Sequence, residues 1–277
     1  MLVRMCMLKL AFWVMTDWRA VMDAGFVLPG GQLRADMLTE LSQALRSPDP
    51  VLRDEQAYVV LARWIPELDR GQRRGLGDDM AVRFTDTEIQ ARSFAALILA
   101  AIIRHGDFEA WWLAAFAAWY PAETDLHGYD PVLGWLHAVA HGADLLGAFG
   151  RHPRVDPAPL LNLAAARLLA RTDYLFACQE DDRLGYAIAQ ILTREQLSEA
   201  QCVDWLGPVG ADFADGQPGP VPPHASNTMR TLRVLYLLAD RGVRLERAGG
   251  EPVALRHHAT LRQHLADVLA LVAPFTG

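Results

Sequence analysis

The 277-residue chain lacks the features that mark a nucleic-acid-binding protein. Only Lys9 of its 26 lysine and arginine residues is a lysine, and 33 acidic residues give a net charge of −7. No run of basic residues with interleaved aromatic side chains occurs. Because contacts to phosphates supply most of the affinity for nucleic acid, we expect no nucleic-acid partner.

Long apolar segments and paired cysteines are also missing. No stretch of 18 apolar residues occurs, so no membrane span is predicted. The apolar run over residues 10–15 is too short for a signal peptide, which favours a packed first helix or a start at Met15. Cys6, Cys178 and Cys202 form no Cys-x-x-Cys motif, which favours a reducing compartment. With the preference for arginine and alanine, this predicts a cytoplasmic bacterial protein.

Strand-like alternation and the common catalytic motifs are absent as well. No Gly-x-Gly-x-x-Gly, phosphate loop or Gly-x-Ser-x-Gly occurs. Apolar residues recur instead at helical spacing, which predicts an all-α fold. The predicted helices cover residues 2–24, 34–46, 50–64, 66–75, 86–104, 108–119, 131–149, 157–171, 180–193, 195–205, 225–241 and 254–272.

A short internal repeat indicates how these helices are arranged. Asp-Pro-Val-Leu occurs at residues 49–52 and again at 130–133, each time where a helix is predicted to begin. Apolar anchors of similar helices recur at intervals close to the roughly 40–47 residues of HEAT repeats. We therefore expect one domain over residues 1–277, a HEAT-like helical repeat that is either an α-solenoid or an α/α-toroid. It comprises a helix stack over 1–206, a Gly/Pro loop over 207–223 and a helix pair over 224–277. The loop is predicted to be either a binding lid or a disordered connection.

The stretch between Arg104 and Arg151 is distinctive because it contains no lysine or arginine but many carboxylates and histidines. In the helix predicted over 131–149, His137, His141 and Asp144 stand at i, i+4 and i+7, on one face. Buried polar groups need partners. This predicts a divalent-metal site, a non-metal ligand or catalytic pocket, or a set of polar contacts that only hold helices together.

Other residues are predicted to complete this site. Glu123, Asp125 and Glu180 are expected as further metal ligands or acid–base groups. Arg183 stands at i+3 from Glu180 and is expected to point into the same pocket. The remaining predicted ligand contacts are Trp135, Arg92, Asn227 and Arg230. If the repeats stack in register, we also expect an ion pair between Asp54 and Arg92.

Several segments resemble a known group, the domain of unknown function 2785 family. They are residues 47–58, 92–99, 123–129 and 180–183, and above all the Gly-Trp-x-His-x-x-x-His-x-x-Asp segment over 134–144. The resemblance extends over roughly residues 16–200 and implies an all-helical fold without an established activity. His127 stands where the pattern has Arg, which argues against an anion site there.

Two functions remain open from the sequence. The first is a pocket for a small polar ligand, with or without a divalent metal, that performs hydrolytic or acid–base chemistry. His137 or His141 would then be the ligand or base, and Asp144 would orient it. The second is a non-catalytic scaffold that binds a protein partner, as helical repeats commonly do, with the His/Asp face serving as internal contacts.

Overall fold

Helices form nearly all of the regular structure in the computed structural model, which describes residues 16–217, 219–245, 250–273 and 275. The all-α prediction is confirmed for these residues. Residues 1–15, where the first helix was expected to begin, lie outside them. The helices are α1 Trp18–Asp23, α2 Gly31–Ala44, α3 Tyr58–Trp64, α4 Arg70–Val82, α5 Ile89–Arg104, α6 Ala110–Trp119, α7 Ala138–Arg151, α8 Ala158–Leu169, α9 Glu180–Ile191, α10 Glu199–Val203, α11 Gly207–Ala214, α12 Pro223–Arg241 and α13 His258–Ala270.

Shorter elements complete the fold. A π-helical segment, Val51–Ala57, runs directly into α3. Short 3₁₀ turns follow α3, α4 and α10. The two strands β1 (Tyr129–Asp130) and β2 (Gly134–Trp135) pair antiparallel as a small hairpin before α7. Among the described residues, no helix is both long and apolar enough to cross a membrane.

The central helices lie side by side, so that α5 packs on α7, α7 on α9, and α9 on α12. Helices α4 and α6 pack together on one side of this row, and α8 contacts both α9 and α12. One connected apolar core reaches from Trp18 to Leu269. Helices α5 and α7 are buried almost all round, as expected for helices with few charges.

Helix α7 lies at the centre because its small residues admit its neighbours closely. A Cβ atom on Gly142 would overlap the ring of Tyr120, and one on Gly147 would overlap the side chain of Gln190 from α9. The Tyr120 hydroxyl donates a hydrogen bond to the Val139 carbonyl at 2.8 Å.

The predicted start of this helix is wrong. Residues 131–137 form the turn and second strand of the hairpin, and α7 begins only at Ala138. Two residues with positive φ prevent helix formation here: Gly134 at 73° and His137 at 50°. The second Asp-Pro-Val-Leu copy therefore forms a turn, in which the Asp130 carboxylate accepts hydrogen bonds from the Val132 and Leu133 amides.

The prediction of an irregular loop over residues 207–223 is wrong for half of that range. Residues 207–214 form α11, and Pro223 is already the first residue of α12. Proline is favoured in the first turn of a helix, where its missing N–H has no partner to lose. Its abundance here thus marks two helix starts as well as the connection between them.

Candidate functional site

The hairpin before α7 is fixed to the π-helical segment by a buried arginine. Arg53 is fully buried, and its guanidinium donates to the carbonyls of Ser47 at 3.0 Å and Leu133 at 2.5 Å. Gly134 then passes so close that a Cβ atom there would stand 2.7 Å from the Pro50 Cβ. These contacts hold β2, and with it the residues leading into α7, over the start of the π-helical segment.

The π-helical segment also places an acidic side chain at the site. Asp54 forms an ion pair with Arg53, with Oδ1 and Nε 2.6 Å apart. Burial raises the pKa of Asp54, and the neighbouring Arg53 opposes that shift. π-Helical turns are rare and are often found at functional sites.

A buried serine on α5 orients the first histidine of the site. The hydroxyl of Ser93 donates to the Leu136 carbonyl, and its oxygen lies 2.8 Å from His141 Nδ1. A carbonyl accepts only, so the single hydroxyl proton is used there, and the Ser93 oxygen accepts from His141. His141 therefore carries its proton on Nδ1 and has a lone pair on Nε2.

His141 stays neutral at physiological pH. Burial lowers the pKa of its imidazole well below the usual value, and the positive charge of Arg183 adds to the effect. Only 6% of the residue is exposed, and its ring packs edge-on against Phe94 with centroids 5.1 Å apart. His141 is thus an oriented hydrogen-bond acceptor in a mostly apolar environment.

His137 has the opposite tautomer, because its Nδ1 lies 3.4 Å from the Nη1 of Arg183, which can only donate. The proton then belongs on Nε2, which is buried and has no hydrogen-bond partner among the described residues. Burial, with help from the Arg183 charge, lowers the pKa of His137 to about 4. Its left-handed backbone at the start of α7 sets the ring 5.6 Å from that of His141.

The two imidazoles line a cleft of about 340 Å³ between the π-helical segment, α5, α7 and α9. Trp135 is 47% exposed, and its ring meets that of His137 edge-on at 4.5 Å. The cleft is lined by Asp54, Tyr58, Phe94, Leu97, Trp135, His137, His141 and Arg183.

Asp144, the third residue of the predicted helix face, is not among the residues that line the cleft. Its carboxylate forms an ion pair with Arg183 from α9, and the residue lines a separate, smaller pocket. Within the described part of the chain, no group of three His, Cys, Asp or Glu residues is arranged to hold a metal ion. The divalent-metal site over His137, His141 and Asp144 stays a prediction. A metal ion there would need the Asp144 carboxylate, which is ion-paired with Arg183.

Two predicted residues, Arg92 and Glu123, lie together but outside the cleft. Arg92 Nε and Nη2 contact the two oxygens of Glu123 at 2.6 and 3.0 Å, beside a different surface pocket. The expected ion pair between Asp54 and Arg92 is therefore wrong, because each residue has another partner. Asp125 also lies elsewhere, with its carboxylate 2.8 Å from the Nδ1 of His127.

The remaining predicted residues stabilise the loop before α9. Asn227 accepts from the Phe176 amide at 2.9 Å and donates to the Tyr174 carbonyl at 2.9 Å, so its amide is used structurally. Glu180 is fully buried and accepts from the Cys178 amide, rather than pointing into the cleft with Arg183. Arg230 Nε pairs with a carboxylate oxygen of Asp181 at 2.7 Å.

Sequence reasoning missed some of the residues that build the site. Ser93, Asp54 and Tyr58 were not singled out as site residues, although all three lie in segments that carry the family resemblance. Their position in these segments was the one feature of the sequence that could have indicated a role in the site. A serine in an apolar helix gives no other indication that it orients a histidine on a neighbouring helix.

These features define an all-helical protein with a neutral two-histidine cleft at its centre. The chain belongs to a family described as a protein of unknown function, DUF2785, which matches residues 81–237. The match includes Ser93, both cleft histidines and Arg183, whereas Asp54 precedes it. No curated protein and no solved structure is found to match the chain.

Proposed function

We propose that the cleft binds a small polar ligand and that His141 accepts a hydrogen bond from it. The observation that carries this proposal is the fixed tautomer of His141. Ser93 uses the Nδ1 proton, which leaves the Nε2 lone pair available in a cleft with a largely apolar lining. An oriented, uncharged imidazole accepts a hydrogen bond through this lone pair.

One neighbouring group also supports a ligand site. Buried polar atoms almost always have partners, and one left unpaired costs about 1–3 kcal/mol. The Nε2–H of His137 is such an atom. A bound ligand with an acceptor group would satisfy it.

A fragment screen by ligand-observed NMR tests this proposal. We expect polar fragments that bind the wild-type protein to lose binding to His141→Phe, which keeps the ring volume but removes both nitrogens. The matched control is His152→Phe, because His152 is equally buried but lies beyond the C-terminus of α7, away from the cleft. Fragments that bind all three proteins equally, or no fragment at all, would contradict a ligand site here.

A non-catalytic scaffold is the second candidate. The exposed apolar residues of the hairpin favour it, since Val132 is 79% exposed and Tyr129 52% exposed. In that case the partner protein would contact the hairpin, and the histidines would only stabilise the helix packing. His141→Phe would then change stability without removing any fragment binding.

We also propose a repeat architecture, a cellular compartment and a bacterial source for the protein. The side-by-side order of α5, α7, α9 and α12 supports a HEAT-like helical repeat, an α-solenoid or α/α-toroid. Composition and unpaired cysteines support a cytoplasmic bacterial protein. A divalent metal remains an alternative occupant of the cleft, provided that Arg183 releases Asp144.

A further inference from the structure

The pattern of donors and acceptors in the cleft indicates which class of ligand it takes, if the proposed ligand site exists. His141, which lines the cleft, has a lone pair on Nε2, and the neighbouring His137 has a buried Nε2–H without a hydrogen-bond partner among the described residues. We propose that the cleft binds the edge of a cyclic amide, whose N–H faces His141 and whose carbonyl faces His137. The plane of the ligand ring would lie against Trp135.

The two imidazoles are close enough for one ligand to contact both. Their ring centroids are 5.6 Å apart and their planes differ by 39°. In a cyclic amide the N–H and C=O are held on the same side of the ring, so that one donor and one acceptor are adjacent. A linear amide prefers the trans form, in which these two groups point in opposite directions.

The charges around the cleft disfavour a carboxylate ligand. Arg183 is paired with Asp144, and Arg53 with Asp54, so each cation already has a carboxylate partner. A carboxylate would also meet the lone pair of His141, and binding would require a proton on that buried ring. Burial and Arg183 both lower the pKa of His141, which makes this protonation unfavourable.

The walls of the cleft favour a ligand with a flat apolar body. Tyr58, Phe94 and Leu97 line one part of it, and the half-exposed Trp135 lies at its rim. Ligand sites commonly combine such apolar walls with a few polar groups that fix orientation. A bicyclic aromatic lactam is small enough for a volume of about 340 Å³.

Three probes test the proposal by isothermal titration calorimetry at pH 7. 2-Quinolone has the lactam edge, N-methyl-2-quinolone lacks its N–H, and 2-naphthoate replaces the edge with a carboxylate. We expect 2-quinolone to bind, and N-methylation to weaken binding at least tenfold because it removes the donor to His141. The binding heat should be the same in phosphate and Tris buffers, since no proton is taken up.

Variants assign the effect to the cleft. We expect His141→Asn, which keeps a donor toward Ser93 but loses the distant acceptor, to weaken 2-quinolone binding at least tenfold. His152→Asn removes a buried histidine outside the cleft and should bind as the wild-type protein does.

Three results would overturn the cyclic-amide proposal. Equal binding of both quinolones would show that the N–H is not recognised. Tighter binding of 2-naphthoate with proton uptake would leave a ligand site in place but assign it to carboxylates. If none of the probes binds, the lactam class is wrong, and the fragment screen with His141→Phe decides separately whether a ligand site exists.

Discussion

At the scale of single residues, the site depends on which nitrogen of each histidine carries the proton. Ser93 sets one tautomer at His141, and Arg183 sets the other at His137. The sequence predicted that these two histidines lie together, because they stand four residues apart in the chain. Their tautomers depend on partners from α5 and α9, which are distant in sequence. No pattern within α7 itself reveals them.

The low pKa of His137 predicts a pH-dependent stability. The folded protein binds this proton only below about pH 4, whereas an unfolded histidine binds it below about pH 6.5. Stability is therefore lost as the pH falls from 6.5 toward 4, by up to about 3 kcal/mol from this group. Urea denaturation across this range should show a smaller pH dependence for His137→Gln.

The reference for that experiment is the wild-type protein measured over the same pH range. If His137→Gln also retains the full wild-type dependence between pH 4 and 6.5, His137 is not the buried neutral group described above.

At the scale of elements, the two Asp-Pro-Val-Leu copies show where sequence reasoning succeeds and where it fails. Both aspartates accept hydrogen bonds from the amide two residues later. The first copy continues into the π-helical segment, whereas the second turns back as a hairpin. Gly134 and His137 make the difference, because each adopts a positive φ. Local propensity predicts that a turn begins at each aspartate, but it does not predict whether a helical segment or a hairpin follows.

Gly134 should be among the least replaceable residues of the hairpin. Gly134→Ala adds a Cβ against Pro50 and also forces a non-glycine residue to φ +73°. We expect it to lower the free energy of unfolding by about 1–3 kcal/mol more than Gly25→Ala does. Gly25 has a similar φ of +80° but open space around it, so its substitution measures the backbone cost alone.

Urea denaturation of both variants gives this difference directly. Because the hairpin carries Trp135, Gly134→Ala should also shift the tryptophan fluorescence of the folded protein. Equal stability of the two variants would mean that the hairpin is not held against Pro50.

At the scale of the whole molecule, the predicted all-α class is confirmed for the described residues, and the site combines four distant parts of the chain. Apolar periodicity was sufficient for the helices, because their length and amphipathicity are local properties. The cleft was only partly predictable, since it joins Asp54, His137, His141 and Arg183, and Ser93 orients His141 from behind the lining. Arg92 and Asn227 were predicted as site residues because of their types, yet their polar groups have structural partners, and one oxygen of Glu180 accepts from the Cys178 amide.

The arrangement of charges predicts how the whole protein responds to metal ions. Arg183 holds the carboxylate of Asp144, so a metal would have to displace a guanidinium to bind with both histidines. We expect the melting temperature to be unchanged by one to ten equivalents of Zn²⁺, Mn²⁺ or Ni²⁺. A rise of several degrees that disappears in His141→Phe would support the metal-site prediction instead.

The most direct test of the account is the tautomeric state of the two cleft histidines, measured by ¹⁵N NMR of the imidazole rings at pH 7. The structure requires Nδ1–H on His141 and Nε2–H on His137, with His137 uncharged between pH 5.5 and 8 and His141 uncharged at pH 7. Ser93→Ala should remove the preference at His141 and leave that at His137. A charged His141 at pH 7, or a proton on its Nε2 in the wild-type protein, would contradict the proposed acceptor and with it the function assigned to the cleft.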